Sequence, residues 1–240
     1  INYHKRSNVV GIISDTHYPF AKKQDKKGYG HLEFLYETFN KFQVNRVIHI
    51  GDLVDGSAWN MWEKDSDMPS GGKEAEMAQK DIDKLFKLFP DGDLMMGNHD
   101  ELINRRMLKH SIPKKFYKSF AEAWNFPKGW NTHNYLEIDN VLYLHGTGKS
   151  GQNAAVSFMQ DYRQSVVIGH THSSGGVNYR ASYKELCFAL NVGCLIGNGL
   201  AFAYGKNFSK KPTLGCGIVV DGKHGFFIPM DLGKKITYSK

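Results

Sequence analysis

Cysteine is scarce in this chain. Cys187, Cys194 and Cys216 lack CxxC spacing, which excludes a disulfide framework and leaves reduced core thiols, as expected of a cytoplasmic protein. No apolar run approaches the ~20 residues needed to span a bilayer, so no membrane association is expected. The opening stretch, Ile1 to Arg6, has no signal-peptide apolar region. It begins with Ile1 rather than Met, so the native N-terminus is expected to lie upstream. No repeat, low-complexity tract or Pro/Gly/Ser linker divides the chain, and 240 residues suffice for one domain over 1–240. Acidic residues are the minority charge: 31 Lys+Arg against 24 Asp+Glu give +7. That balance permits a polyanionic partner without requiring one.

What is present is a repeated pattern. Five short apolar runs each end in residues that can ligate a metal. Val9 to Ile13 runs into Asp15 and His17, Val47 to Ile50 into Gly51 and Asp52, and Leu94 to Met96 into Asn98, His99 and Asp100. Val141 to Leu144 runs into His145, and Val166 to Ile168 into Gly169, His170 and His172. Short β-rich apolar runs read as buried strands. Ligands of open α/β sheets gather beyond the carboxyl ends of such strands, so residues scattered over the first 172 positions can meet at one point.

Between the runs, Leu32, Leu35, Tyr36, Phe39 and Phe42 have helical spacing. Glu74 to Phe89, Leu102 to Leu108, Phe116 to Trp124 and Ala154 to Tyr162 also read as helices. Pro90, Asp91 and Gly92 break the second of these. Beyond residue 172 the pattern turns to strands at Leu186 to Val192, Gly215 to Val220 and Gly225 to Pro229, with Asp221 and Gly222 as a hairpin turn. The expected architecture is α/β: a four-layer β-sandwich of two mixed sheets flanked by helices, with the ligands on one rim.

Taken singly, each motif has a bland explanation. Asp52 alone is a possible helix cap, Asn98 and His99 a polar loop, and His145 a satisfied core histidine. The pair His170 and His172, one residue apart, suits chelation better. His49 lies inside a strand and reads as a core or supporting residue. His4, His31, His110, His133 and His224 have no motif context.

The ordered set DxH, GDxxD, GNH[DE], lone His and GHxH resembles the signature of the calcineurin-like metallophosphoesterase superfamily. It is carried here by Asp15 and His17; Asp52 and Asp55; Asn98, His99 and Asp100; His145; and His170 and His172. The resemblance spans residues 9 to 172 and implies two divalent transition-metal ions, with manganese first and iron, zinc, cobalt or nickel as alternatives. Asp15, His17, Asp52 and His172 would hold one, and Asp52, Asn98, His145 and His170 the other. Two such ions at ~3.5–4 Å clamp both oxygens of an in-line displacement, and mixed N/O ligands suit these metals better than calcium or magnesium. A water bridging them would attack phosphorus, with no covalent phosphoenzyme. His99 is the implied non-ligand histidine that protonates the leaving alkoxide. Asp55 is implied to accept a hydrogen bond from its other ring nitrogen.

The substrate is less constrained. Gly56 and Ser57 follow Asp55 where phosphoprotein phosphatases of the superfamily carry Arg-Gly, so a positive clamp for a monoester dianion is missing. The expected partner is a phosphate ester, above all the phosphodiester bonds of DNA, RNA or nucleotides. A phosphomonoesterase acting on small molecules or phosphoproteins is the alternative, and a non-catalytic binding module the third reading. Two inserts, Ser57 to Gly72 with Trp59, Met61, Trp62 and Lys64, and Asn104 to Trp130, would form the rim. The second interleaves Arg105, Arg106, Lys109, Lys114, Lys115, Lys118 and Lys128 with Phe116, Tyr117, Phe120, Trp124 and Trp130. Such a pattern is either a nucleic-acid surface or an amphipathic helix with core-facing aromatics. Lys206 to Lys211 is a further basic stretch that lies either near the substrate or simply in solvent.

Overall fold

A computed structural model describes residues 7–60, 67–197 and 211–230. Two mixed sheets face each other. The six-stranded sheet runs β11(His224–Pro229), β10(Gly215–Val220), β1(Val9–Ile13), β2(Arg46–His49), β3(Gly92–Met95), β4(Trp130–His133). The five-stranded sheet runs β5(Tyr135–Ile138), β6(Val141–Leu144), β7(Ser165–Ile168), β9(Leu186–Val192), β8(Gly175–Ala181). In the first sheet β1 to β4 are parallel and β10 and β11 are antiparallel additions. In the second, β6, β7 and β9 are parallel, and β5 and β8 close the edges antiparallel.

Strand alternation sorts the core into layers. Val10 and Ile12 of β1 point inward with Ile48 and Met95, against Tyr143, Val167, Phe188 and Leu190 of the other sheet. Val9 and Ile13 point outward, beneath α1(His31–Lys41) and α2(Gly71–Leu88), where Phe34, Leu35, Phe39, Ile82, Leu85 and Phe86 cover them. Gly11 lies directly under the Phe39 ring, which a Cβ would displace. On the far side α5(Ala154–Tyr162) lays Ala155, Phe158 and Met159 on Leu142, Val166 and Ile168. The layers are therefore helix, sheet, sheet, helix. Because β1, β2, β3, β6 and β7 point the same way within their sheets, their C-terminal ends reach one rim. Among the described residues, no helix is long and apolar enough to cross a membrane.

The helix expected over Phe116 to Trp124 is corrected. A 3-10 turn covers Lys114–Phe116, and α4(Phe120–Ala123) starts afresh at Ser119. Ser119 forms a reciprocal capping box with Glu122, which favours helix initiation at that point. Ser70 likewise caps α2, accepting from Lys73 N. Strands β4, β5 and β8 lacked a readable apolar signal. Strand β8 is an edge strand with mostly exposed side chains, so packing leaves little imprint on its composition. Cys194 and Cys216 are buried free thiols and Cys187 is partly buried.

His31, without motif context, ties the first loop together. Its Nδ1–H donates to the Lys22 carbonyl (2.6 Å), and Nε2 accepts from the Tyr18 hydroxyl (2.9 Å). Burial lowers its pKa to about 4, against the Lys22 bond, which acts to raise it. An unfolded histidine titrates near 6.5, so between these values the unfolded chain binds the extra proton. Stability from this group is complete above pH ~6.5 and falls as pH drops through the window, by roughly 3 kcal/mol. Urea denaturation of metal-free protein at pH 7 and pH 4 should show His31→Gln losing less stability on acidification than wild type by about that amount.

Candidate metal centre

The loops that carry the candidate donors leave their strands through strained backbone. Asp15, His17, Asp52 and His170 all have positive φ (49°, 47°, 53° and 64°), a conformation that costs non-glycine residues energy and clusters at functional sites. Two glycines make room for it. A Cβ on Gly97 would overlap the Asp52 carboxylate and backbone nitrogen, and one on Gly169 would overlap Ser14 and the Asp15 carboxylate.

Each aspartate has one oxygen anchored and the other aimed inward. Asp15 Oδ2 accepts from the Ser14 hydroxyl and from His170 N (2.9 Å), while Oδ1 lies 2.9 Å from His172 Nε2 and 3.8 Å from His17 Nε2. Asp52 Oδ1 accepts from His99 N (2.8 Å). Asp52 Oδ2 is buried with no hydrogen-bond partner, 3.2 Å from His145 Nε2 and 3.7 Å from His17 Nε2.

The imidazoles are oriented by their outer nitrogens. His17 Nδ1–H donates to Asp55 Oδ1 (2.9 Å), and His145 Nδ1–H donates to the Ile50 carbonyl (2.9 Å). In their neutral forms both Nε2 atoms then present lone pairs to the centre, an arrangement typical of metal-ligating histidines. His145 Nε2 faces Asn98 Oδ1 (3.0 Å) and His170 Nδ1 (3.2 Å) besides Asp52; His17 Nε2 faces His172 Nε2 (3.1 Å). Acceptors crowded this closely need a positive charge among them. Burial opposes charge on His145, yet the Asp52 and Asp15 carboxylates outweigh it and push its pKa up to about 9. His17 is likewise raised well above its ordinary value, against burial, by Asp15, Asp55 and Asp52. Among the described residues the donor atoms fall into three groups: Asp15, His17, Asp52 and His172; Asp52, His145 and His170; and His17, Asp55 and His99, with Asp52 shared by the first two and His17 by the first and third. Asn98 Oδ1 joins the second through His145. This mixed N/O donor set, with an orphaned carboxylate oxygen between its halves, fits divalent cations.

Asp55 differs from expectation. Its carboxylate serves His17, not His99; His99 Nδ1 lies 4.0 Å from Asp55 Oδ1 and donates instead to the Asp55 backbone carbonyl (2.5 Å). The loop geometry explains this, because Asp55 N is bonded to the Tyr18 carbonyl (3.1 Å) and the side chain is drawn beneath the first motif.

Asp100 has a structural part that the motif did not disclose. Its Oδ2 accepts from Asp52 N (2.8 Å) and Gly97 N (2.9 Å), and its Oδ1 from Leu53 N (2.9 Å) and Val54 N (3.2 Å). One buried carboxylate thus fastens the second motif to the third. Burial and the Asp52 charge push its pKa up, against those N–H bonds. Glu74 does similar work one turn on, accepting from Ser57 N (3.0 Å) and Ala58 N (2.8 Å). His49 is buried and contacts the Thr16 hydroxyl (3.0 Å), a supporting position as expected. His133 pairs with Asp93 away from the centre (2.9 Å), His110 and His224 are exposed, and His4 lies outside the described residues.

Trp124 and Trp130 are buried, and Trp59, Phe120 and Phe126 pack on the same core, so the core reading holds for these aromatics. Met61, Trp62, Lys64 and Lys206 to Lys210 lie outside the described residues.

Two facing sheets whose shared rim gathers carboxylate, amide and imidazole donors from five strand ends define a metal-dependent hydrolase. The family model for calcineurin-like phosphoesterases matches residues 9–190, and the chain belongs to that family. It is a metal-dependent phosphoesterase whose substrates are phosphate esters. It is similar to the Gene 54 protein of Mycobacterium phage D29 (27% identity over 250 residues, 91% of both chains). The Gene 54 protein of Mycobacterium phage L5 is similar at 26% over 253 residues, again 91% of both. Among solved structures, a phosphoesterase from E. coli overlaps it with TM-score 0.40 at 14% identity, over 88% of this chain and 87% of that one. A dimetal phosphatase from Danio rerio overlaps with TM-score 0.45 at 9% identity, over 88% and 91%.

Proposed function

We propose that this phosphoesterase hydrolyses phosphodiester bonds of nucleic acid or nucleotides with two divalent transition-metal ions, manganese foremost. Asp15, His17, Asp52 and His172 hold one, and Asp52, Asn98, His145 and His170 the other. The observation that carries the two-ion reading is Asp52 Oδ2, a buried oxygen without a hydrogen bond between two sets of inward lone pairs. Cations bound there supply Lewis acidity toward a phosphoryl oxygen and lower the pKa of water.

The chain's own residues orient and protonate. His99 donates Nδ1–H to the Asp55 carbonyl; as the imidazolium it carries a second proton on Nε2, which would face the substrate and pass to the departing oxygen. Asp55 is a positioning residue: its carboxylate sets the His17 tautomer and its carbonyl sets the His99 ring. The diester preference is supported by Gly56 and Ser57 after Asp55, where an arginine would clamp a monoester dianion.

Purified protein loaded with Mn²⁺ should hydrolyse bis-p-nitrophenyl phosphate and cleave DNA, with chelator abolishing both and Mn²⁺ restoring them. Hydrolysis of p-nitrophenyl phosphate alone would replace this reading with a phosphomonoesterase. A chain that takes up no metal and stays inert would be a binding module.

A further inference from the structure

The rim continues into a surface that the metal centre does not use. From Leu102 to Lys118 the sequence carries Arg105, Arg106, Lys109, Lys114, Lys115 and Lys118 and no Asp or Glu. In the same stretch Ile103, Leu108, Ile112 and Phe116 are exposed, Phe116 at 69%. Helix α3(Leu102–Lys109) leads directly away from the third motif. Leu102 N bonds the His99 carbonyl (3.1 Å), and the Arg105 guanidinium donates to the Asn98 carbonyl. Arg106 donates to the Trp59 and Asn60 carbonyls (3.0 and 2.7 Å), pinning the helix to the opposite insert.

Arg105 and Lys109 stand one turn apart, ~6 Å along the axis and on one face. Leu108 lies on the same helix, and Ile112 follows beyond its end. A 3-10 turn then presents Lys114 and Lys115, with Lys115 Nζ 4.9 Å above the Phe116 ring. A solvated basic face needs no exposed apolar groups, and a core stripe would bury them. A row of cations beside open apolar and aromatic surface, beginning at a phosphoester site, matches a phosphate backbone carrying unstacked bases. Duplex bases would be shielded from Phe116, and a two-turn helix offers little apolar face to a lipid surface.

We propose that Arg105 to Lys118 is a track for single-stranded nucleic acid leading into the metal centre, with the lysines on successive phosphates and Phe116 stacked on a base. It rests on the phosphodiester reading above and extends it from reaction to substrate.

The test compares kcat/KM for a short single-stranded oligonucleotide with that for bis-p-nitrophenyl phosphate, using Mn²⁺-loaded protein. The triple change Lys109→Gln, Lys114→Gln, Lys115→Gln should lower the ratio at least about 10-fold. It should also flatten the log–log salt dependence by about 2, for three phosphate contacts. Phe116→Ala should lower the ratio roughly 5- to 100-fold on single strands and far less on blunt duplex. Ratios unmoved in both variants, with wild type cutting oligonucleotides, would overturn the track. So would loss confined to binding of phosphatidylserine vesicles. Hydrolysis of the small diester with every oligonucleotide left intact would instead remove the nucleic-acid reading, and the track with it.

Discussion

His99→Asn should lower turnover of an alkyl phosphodiester by roughly 10²- to 10⁴-fold, the range typical of a lost general acid. The deficit should shrink sharply on a nitrophenyl ester, whose leaving group needs little protonation. Metal content should stay at the wild-type level, because the link from residue 99 to Asp52 Oδ1 is a backbone N–H and survives the change. Steady-state kinetics on the two esters, with metal analysis of the same samples, check all three expectations. Equal deficits on both esters would remove the proton-donor role from His99. Loss of metal would make it part of the ligand framework.

Asp52→Asn should lower both turnover and metal content. Asp52 belongs to both of the donor groups assigned to the ions, and its Oδ2 faces His145 and His17 at 3.2 and 3.7 Å. An amide in its place delivers less charge to either side, and its NH₂ end would oppose any cation it met. Activity should fall on the order of 10³-fold or more, and metal bound per chain should drop from the two proposed toward zero. Loss of only one ion would mean that the two groups do not share this oxygen. Two ions retained with full activity would overturn the assignment of Asp52 altogether.

The two variants also separate what was readable early from what was not. All five ligand-bearing strands were legible because a buried parallel strand announces itself as a short apolar run. Its end is marked by the polar residue that follows. Asp15, Asp52, Asn98 and His145 were named on that basis, and they converge. The split of Val9 and Ile13 from Val10 and Ile12 between two cores was implicit in strand alternation. The boundary at Ser119 was not, because the aromatic spacing through Trp124 imitated a longer helix, while a local capping box decided where the turn began.

The allocation of hydrogen bonds was beyond any pattern. Asp55 is three residues from Asp52 and was paired with His99 by motif. In three dimensions its carboxylate goes to His17, 38 positions away. Asp100 stood out only as a variant letter in its motif, yet it gathers N–H groups from two loops. Likewise Phe116 could not be told from Trp124 or Phe120 by type or spacing. Packing buries Trp124 and leaves Phe116 in solvent.

The sequence by itself determined the five apolar strands that lead to the rim and the identity of the candidate donors at their ends, since periodicity and local turn chemistry act over a few residues. Only the tertiary structure decided which oxygen faces the centre, which carboxylate steadies which imidazole and which aromatic ring stays exposed. Those outcomes depend on distances between loops that are remote in the chain, and the strength of a hydrogen bond or a burial term is set by that geometry.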